Sequence, residues 1–129
     1  MTAPVILSVD DSSVLRRALV QLFAPYDCVV QQAADGEAGL VAVREHRPAL
    51  ILLDYNMPVL DGVGMLQRLR LEPDVARTPV IMLTANAAPE MLARVARLGV
   101  RDYVVKPFDG PSLLAKVSRL VPLRQLPAA

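Results

Sequence analysis

One cysteine and one histidine occur among 129 residues. A lone Cys28 rules out an intrachain disulfide and a cysteine-based zinc cluster, which suits a reducing compartment. His46 stands beside Arg47-Pro48, and it and Cys28 are read as surface and packing residues without chemistry. Long apolar runs are also missing: none approaches the roughly 18 residues of a membrane span. The N-terminus has no basic stretch and its apolar run breaks at Asp10, unlike a secretory signal. Neither sign of charge dominates, with 14 Lys+Arg against 13 Asp+Glu. That balance excludes a bulk pull toward nucleic acid or an anionic membrane. Internal repeats and low-complexity segments are absent, and a cytoplasmic setting is expected.

What is present is a hydrophobic chain, 53% by composition, of a length suited to one domain with one core. Residues 1–122 are expected to form that domain and 123–129 a short tail. Its apolar residues fall into short runs separated by helical patterns. Val5 to Val9 ends in Asp10-Asp11, Ala49 to Leu53 in Asp54, Val80 to Leu83 in Thr84, and Tyr103 to Val105 in Lys106. Short β-branched or Leu-rich runs separated by helical patterns read as parallel strands covered on both faces. Val29 to Gln32 is the weakest strand, because Gln31 and Gln32 are polar, and an edge position suits it.

Helices are predicted between the strands. Ser12 or Ser13 caps the first, which runs through Phe23 with Val14, Leu15, Ala18, Leu19 and Leu22 as its buried stripe. The second spans Gly36 to about His46. The third opens at Asp61-Gly62 and reaches Leu71, the fourth has Pro89 in its first turn and ends at Gly99, and the last runs from near Pro111 to about Val121.

The polar residues that close the strands share the sheet's carboxyl edge, where the loops of an open α/β sheet diverge and leave a crevice. Carboxylates roughly 5 Å apart repel by about 3 kcal/mol at an effective dielectric near 20, so Asp10, Asp11 and Asp54 call for a counter-charge. An all-oxygen donor set suits Mg²⁺ or Mn²⁺. Lys106 offers a point charge and Thr84 a hydroxyl for phosphate oxygens, and Asp54 is the best-placed nucleophile. An acid pair by itself can equally cap a helix; the coincidence of four strand ends favours a phosphoryl-transfer site.

The ordered motifs Asp10-Asp11, Leu53-Asp54-Tyr55-Asn56-Met57-Pro58, Asp61-Gly62, Leu83-Thr84-Ala85 and Lys106-Pro107-Phe108 resemble those of bacterial two-component receiver domains, over Val5 to about Leu120. The resemblance implies that Asp54 is the phosphoacceptor for a histidine kinase or phosphotransfer protein. It also implies that Asp11 and Asp54 ligate Mg²⁺, that Asp10 acts through water, and that the Asn56 carbonyl adds a ligand. Thr84 and Tyr103 would form a switch pair acting on a downstream protein target through the fourth helix, fifth strand and fifth helix. A cis Lys106-Pro107 bond is implied as well.

The expected architecture is a flavodoxin-like, doubly wound α/β fold with five parallel strands in the order 2-1-3-4-5. The expected function is a stand-alone response regulator, a switch and not an enzyme, without direct nucleic-acid contact or membrane insertion. It would be a monomer or weak dimer: Asp102 and Lys116 match part of the ion-pair set of dimerising receivers, whereas Asn86, Arg101 and Ser112 do not continue it. Two alternatives remain. One is a small Asp-nucleophile phosphatase, which would carry a second Asp where Asn56 stands. The other is the receiver part of a larger regulator.

Overall fold

The computed structural model describes residues 2–127. Strands and helices alternate as β1 (Val5–Val9), α1 (Ser13–Phe23), β2 (Val29–Ala33), α2 (Gly36–His46), β3 (Leu50–Asp54), α3 (Gly62–Leu69), β4 (Val80–Thr84), α4 (Pro89–Arg97), β5 (Asp102–Val105) and α5 (Gly110–Ser118). The strands form one parallel sheet in the order β2-β1-β3-β4-β5, as expected. Every residue of β3 and β4 is buried, which accounts for their uninterrupted apolar sequence.

Alternate side chains feed two cores. Leu7, Val9, Ile51, Leu53, Val80 and Met82 meet α2, α3 and Val95 of α4 on one face. Ile6, Leu50, Leu52, Ile81 and Leu83 meet α1 and α5 on the other. The chain leaves β1 toward β2 and returns to β3 on the other side, so the loops after β1 and β3 diverge. That divergence is the crevice of a doubly wound sheet, and Asp10 and Asp54 stand on its two sides.

Caps fix where the helices begin. Ser12, Asp35, Asp61 and Asp109 each accept a hydrogen bond from a backbone N–H three residues on, at 2.8 to 3.1 Å. Such caps contribute about 1 kcal/mol apiece. The α4 helix has no side-chain cap and starts with Pro89. Gly99, at φ 79°, provides the left-handed turn beyond α4 that its position implied.

Two helices stop earlier than their sequence patterns suggest. The α3 helix ends at Leu69, because Leu71 and Glu72 bond to carbonyls only three residues back, a tighter turn that closes the helix before Pro73. The α5 helix ends at Ser118 for a similar reason, Leu120 bonding to Val117. The α1 stripe is also corrected: Val14 is 74% exposed and Ala18 is exposed, while Leu19 and Phe23 are buried and Leu15 and Leu22 pack beside them. Beyond Pro122, Arg124 O accepts from Asp27 N–H and Leu126 N–H donates to Pro25 O, so this part of the predicted tail lies against the turn before β2. Ala128 and Ala129 lie outside the described residues.

Candidate phosphoryl-transfer site

Strand geometry brings three carboxylates to one point. One oxygen each from Asp10, Asp11 and Asp54 lies within 4.8 Å of the others; Asp10 and Asp54 are buried and Asp11 is exposed. Lys106, which follows β5, extends across the crevice and places Nζ 3.0 Å from Asp10 Oδ2 and 3.0 Å from Asp54 Oδ1. Lys106-Pro107 is cis.

Asp10 is held at every polar atom. Its N–H donates to Ala33 O, Oδ1 accepts from Ser12 N–H, Oδ2 accepts from Lys106, and its carbonyl accepts from Arg16 Nη1 at 2.6 Å. Arg16 is a contact that the sequence motifs did not single out, since its only signal is its place in the helix after the acid pair. Asp54 is held from the far side by α3. A Cβ on Gly62 would stand 2.5 Å from Asp54 O and 3.1 Å from Tyr55 Cα, so only glycine lets α3 start this close to the strand end.

The charges do not balance. Burial pushes the Asp54 carboxyl above its ordinary pKa; the Lys106 hydrogen bond opposes this, and the Asp10 charge reinforces it. For Lys106, burial acts to lower the pKa, but the bonds and charges of Asp10 and Asp54 outweigh it and the ammonium is held above its usual value. The Lys106 ammonium, bonded to Asp10 and Asp54, and the nearby Arg16 guanidinium therefore face three carboxylates, two of them buried. The oxygen-only donor set and its negative excess suit a hard divalent cation.

Thr84 is buried at the end of β4, with its hydroxyl turned into its own loop. Its Oγ1 donates to Asn86 O at 2.9 Å and accepts from Asn86 N–H at 3.1 Å. Asn56 lies in the exposed loop two residues after Asp54. Tyr103 is on β5 with its ring outward, 38% exposed, and Lys116 Nζ lies 5.6 Å from the ring centroid. Lys116 pairs with Asp102 at 2.9 Å within the same chain. An apolar groove of about 570 Å³, lined by residues including Leu15, Leu22 and Phe108, opens beside Lys106. No helix among the described residues is long and apolar enough to cross a membrane.

Comparison with known proteins finds similarity over nearly the whole chain. A family model described as "Response regulator receiver domain" matches residues 6–118. A "Probable transcriptional regulator ycf27" of Porphyra purpurea is 43% identical over 114 residues, which are 87% of this chain and 45% of that protein. The chain thus spans about half the length of that relative. "Chemotaxis protein CheY-3" of Vibrio cholerae is 33% identical over 116 residues, 89% of each chain. The solved structure of Vibrio cholerae chemotaxis protein CheY4 superimposes with a TM-score of 0.86 at 30% identity, covering 94% of this chain and all of that one.

Proposed function

The chain belongs to the response regulator receiver domain family, and from that premise we propose that it is a Mg²⁺-dependent phosphoacceptor switch in which Asp54 takes a phosphoryl group from a phosphohistidine donor. The observation that carries this reading is the convergence of Asp10, Asp11 and Asp54 within 4.8 Å, with Lys106 bonded to two of them.

In this reading Asp11 and Asp54 would hold Mg²⁺ with the Asn56 carbonyl, and Asp10 would act through a water. Mg²⁺ held there would neutralise the carboxylates and polarise the phosphoryl oxygens. An Asp54 carboxylate oxygen attacks phosphorus in line with the leaving nitrogen. The new P–O bond replaces the P–N bond, whose electron pair stays on the donor imidazole. Lys106 supplies positive charge to the transferring oxygens. The donor is a histidine kinase or phosphotransfer protein, met in the cytoplasm. Asn56 offers no acid or base to activate water, which favours a switch over a turnover phosphatase.

Output follows from Thr84. A phosphoryl group at Asp54 offers a new acceptor, and Thr84 reaches it by giving up both bonds to Asn86. The space that Thr84 leaves admits the Tyr103 ring, so a charge change at the strand ends becomes a packing change on the face of α4, β5 and α5, where a downstream protein docks. The test is backbone chemical shifts with Mg²⁺ and beryllofluoride, a phosphoryl mimic. Shifts are expected at Thr84, in 87–98, at Tyr103 and in 111–120. Changes confined to the Asp54 loop would leave a phosphate site without a switch.

A further inference from the structure

Gln31 and Gln32 put two adjacent polar side chains inside strand β2, and the phosphoacceptor reading gives them no task. Gln32 has one in the structure: its Oε1 accepts from Arg16 Nε at 3.3 Å. The same guanidinium, from the second turn of α1, donates through Nη1 to the Asp10 carbonyl at 2.6 Å. Because the guanidinium is planar and rigid, a glutamine holding one edge fixes where the other edge points.

That carbonyl belongs to the peptide joining Asp10 to Asp11. The two acids are held differently. Both carboxylate oxygens of Asp10 have hydrogen-bond partners, whereas the Asp11 side chain is exposed and makes no hydrogen bond among the described residues. Its place therefore depends on the backbone that carries it, and rotation of the Asp10–Asp11 peptide would swing the Asp11 carboxylate away from the cluster.

We propose that Arg16, held by Gln32, is a positioning residue that fixes the Asp10–Asp11 peptide and so keeps the Asp11 carboxylate where it can bind a divalent cation. The proposal rests on the metal-binding reading above. It assigns a cation beside a cation site, so its sign separates it from a Coulombic effect. If Arg16 acted only by charge, removing it would strengthen Mg²⁺ binding. If it positions Asp11, removing it weakens binding.

The experiment is calorimetric titration of Mg²⁺ into the unaltered protein and into Arg16→Met, Arg16→Lys and Gln32→Ala, with thermal melting of each. Arg16→Met is expected to weaken Mg²⁺ binding about 10-fold, the low end for losing a partner that orients a metal ligand. Arg16→Lys keeps the charge without the planar fork and should weaken it too. Gln32→Ala, which removes no hydrogen bond to a carboxylate of the cluster, should weaken it by a smaller factor in the same direction. With acetyl phosphate as donor, the Mg²⁺ concentration for half-maximal phosphorylation should rise while the rate at saturating Mg²⁺ stays near that of the unaltered protein. Tighter binding by Arg16→Met, or unchanged affinity with a lower melting temperature alone, overturns the proposal. Absence of Mg²⁺ binding by the unaltered protein removes the metal site itself, a distinct failure.

Discussion

Replacing Asp54 by asparagine should make the metal-free domain more stable. The side chain keeps its size while its charge is removed. At 3.0 Å from Lys106 Nζ, the carboxylate gains about 5.5 kcal/mol of attraction at an effective dielectric near 20. Against this, its oxygen lies within 4.8 Å of one on Asp10 and one on Asp11, and each such pairing costs about 3.5 kcal/mol or more on the same scale. Repulsion exceeds attraction before the burial of the carboxylate is counted. Screening of the exposed Asp11 reduces the excess, which leaves an expected gain of about 1 to 2 kcal/mol for Asp54→Asn. For a domain of this size that corresponds to a melting temperature higher by roughly 3 to 8 °C.

The pH dependence has a definite sign. Because burial raises the folded-state pKa of Asp54 above its unfolded value, the folded state binds the proton more tightly. The cost of its charge is absent below the unfolded value and appears as pH rises through the folded one. The advantage of Asp54→Asn should therefore grow as pH rises and shrink on acidification. Melting curves in chelator-treated buffer between pH 4 and 7 measure both effects. An asparagine variant that melts below the unaltered protein at pH 7 would refute the reasoning, since Lys106 would then outweigh burial and repulsion together.

Other outcomes follow from neighbouring contacts. Lys106→Ala should retain or tighten Mg²⁺ binding yet destabilise the metal-free domain by about 2 kcal/mol, a value reduced from that of a fully buried pair for the partial exposure of Lys106. The raised Lys106 pKa makes its contribution complete below about pH 10 and lost only as pH climbs through the folded value, so alkaline melting should narrow the gap. Val59, a β-branched residue at φ 70° and 80% exposed, is strained in the loop between β3 and α3; Val59→Asn should stabilise by about 1 kcal/mol in urea unfolding. Thr84→Ala loses both bonds to Asn86 and should still accept phosphate, but with weak chemical-shift changes around Tyr103.

The strand ends were legible because burial on both faces leaves a mostly apolar run, and the polar residue that closes it stands out. Hence Asp10, Asp54, Thr84 and Lys106 could be placed at one sheet edge from spacing alone, and the strand order follows the resemblance. Helix ends were less legible: α3 and α5 finish in tighter turns that keep the same apolar pattern, so Leu71 and Val121 look helical from sequence. Val14 reads as core because periodicity cannot show how far round α1 the sheet reaches. Side-chain direction was invisible as well. The sequence marks Thr84 as a hydroxyl at the site, but its bonds to Asn86 arise from the loop's own geometry. Arg16 and Gln32 are sixteen residues apart and meet only because β2 lies beside β1.

The most direct measurement is intact-mass analysis after incubation with acetyl phosphate, with and without Mg²⁺. A single added phosphoryl group is expected, dependent on Mg²⁺ and absent from Asp54→Asn. Labelling that persists in Asp54→Asn, or that proceeds equally in chelator, would contradict Asp54 as the metal-dependent phosphoacceptor.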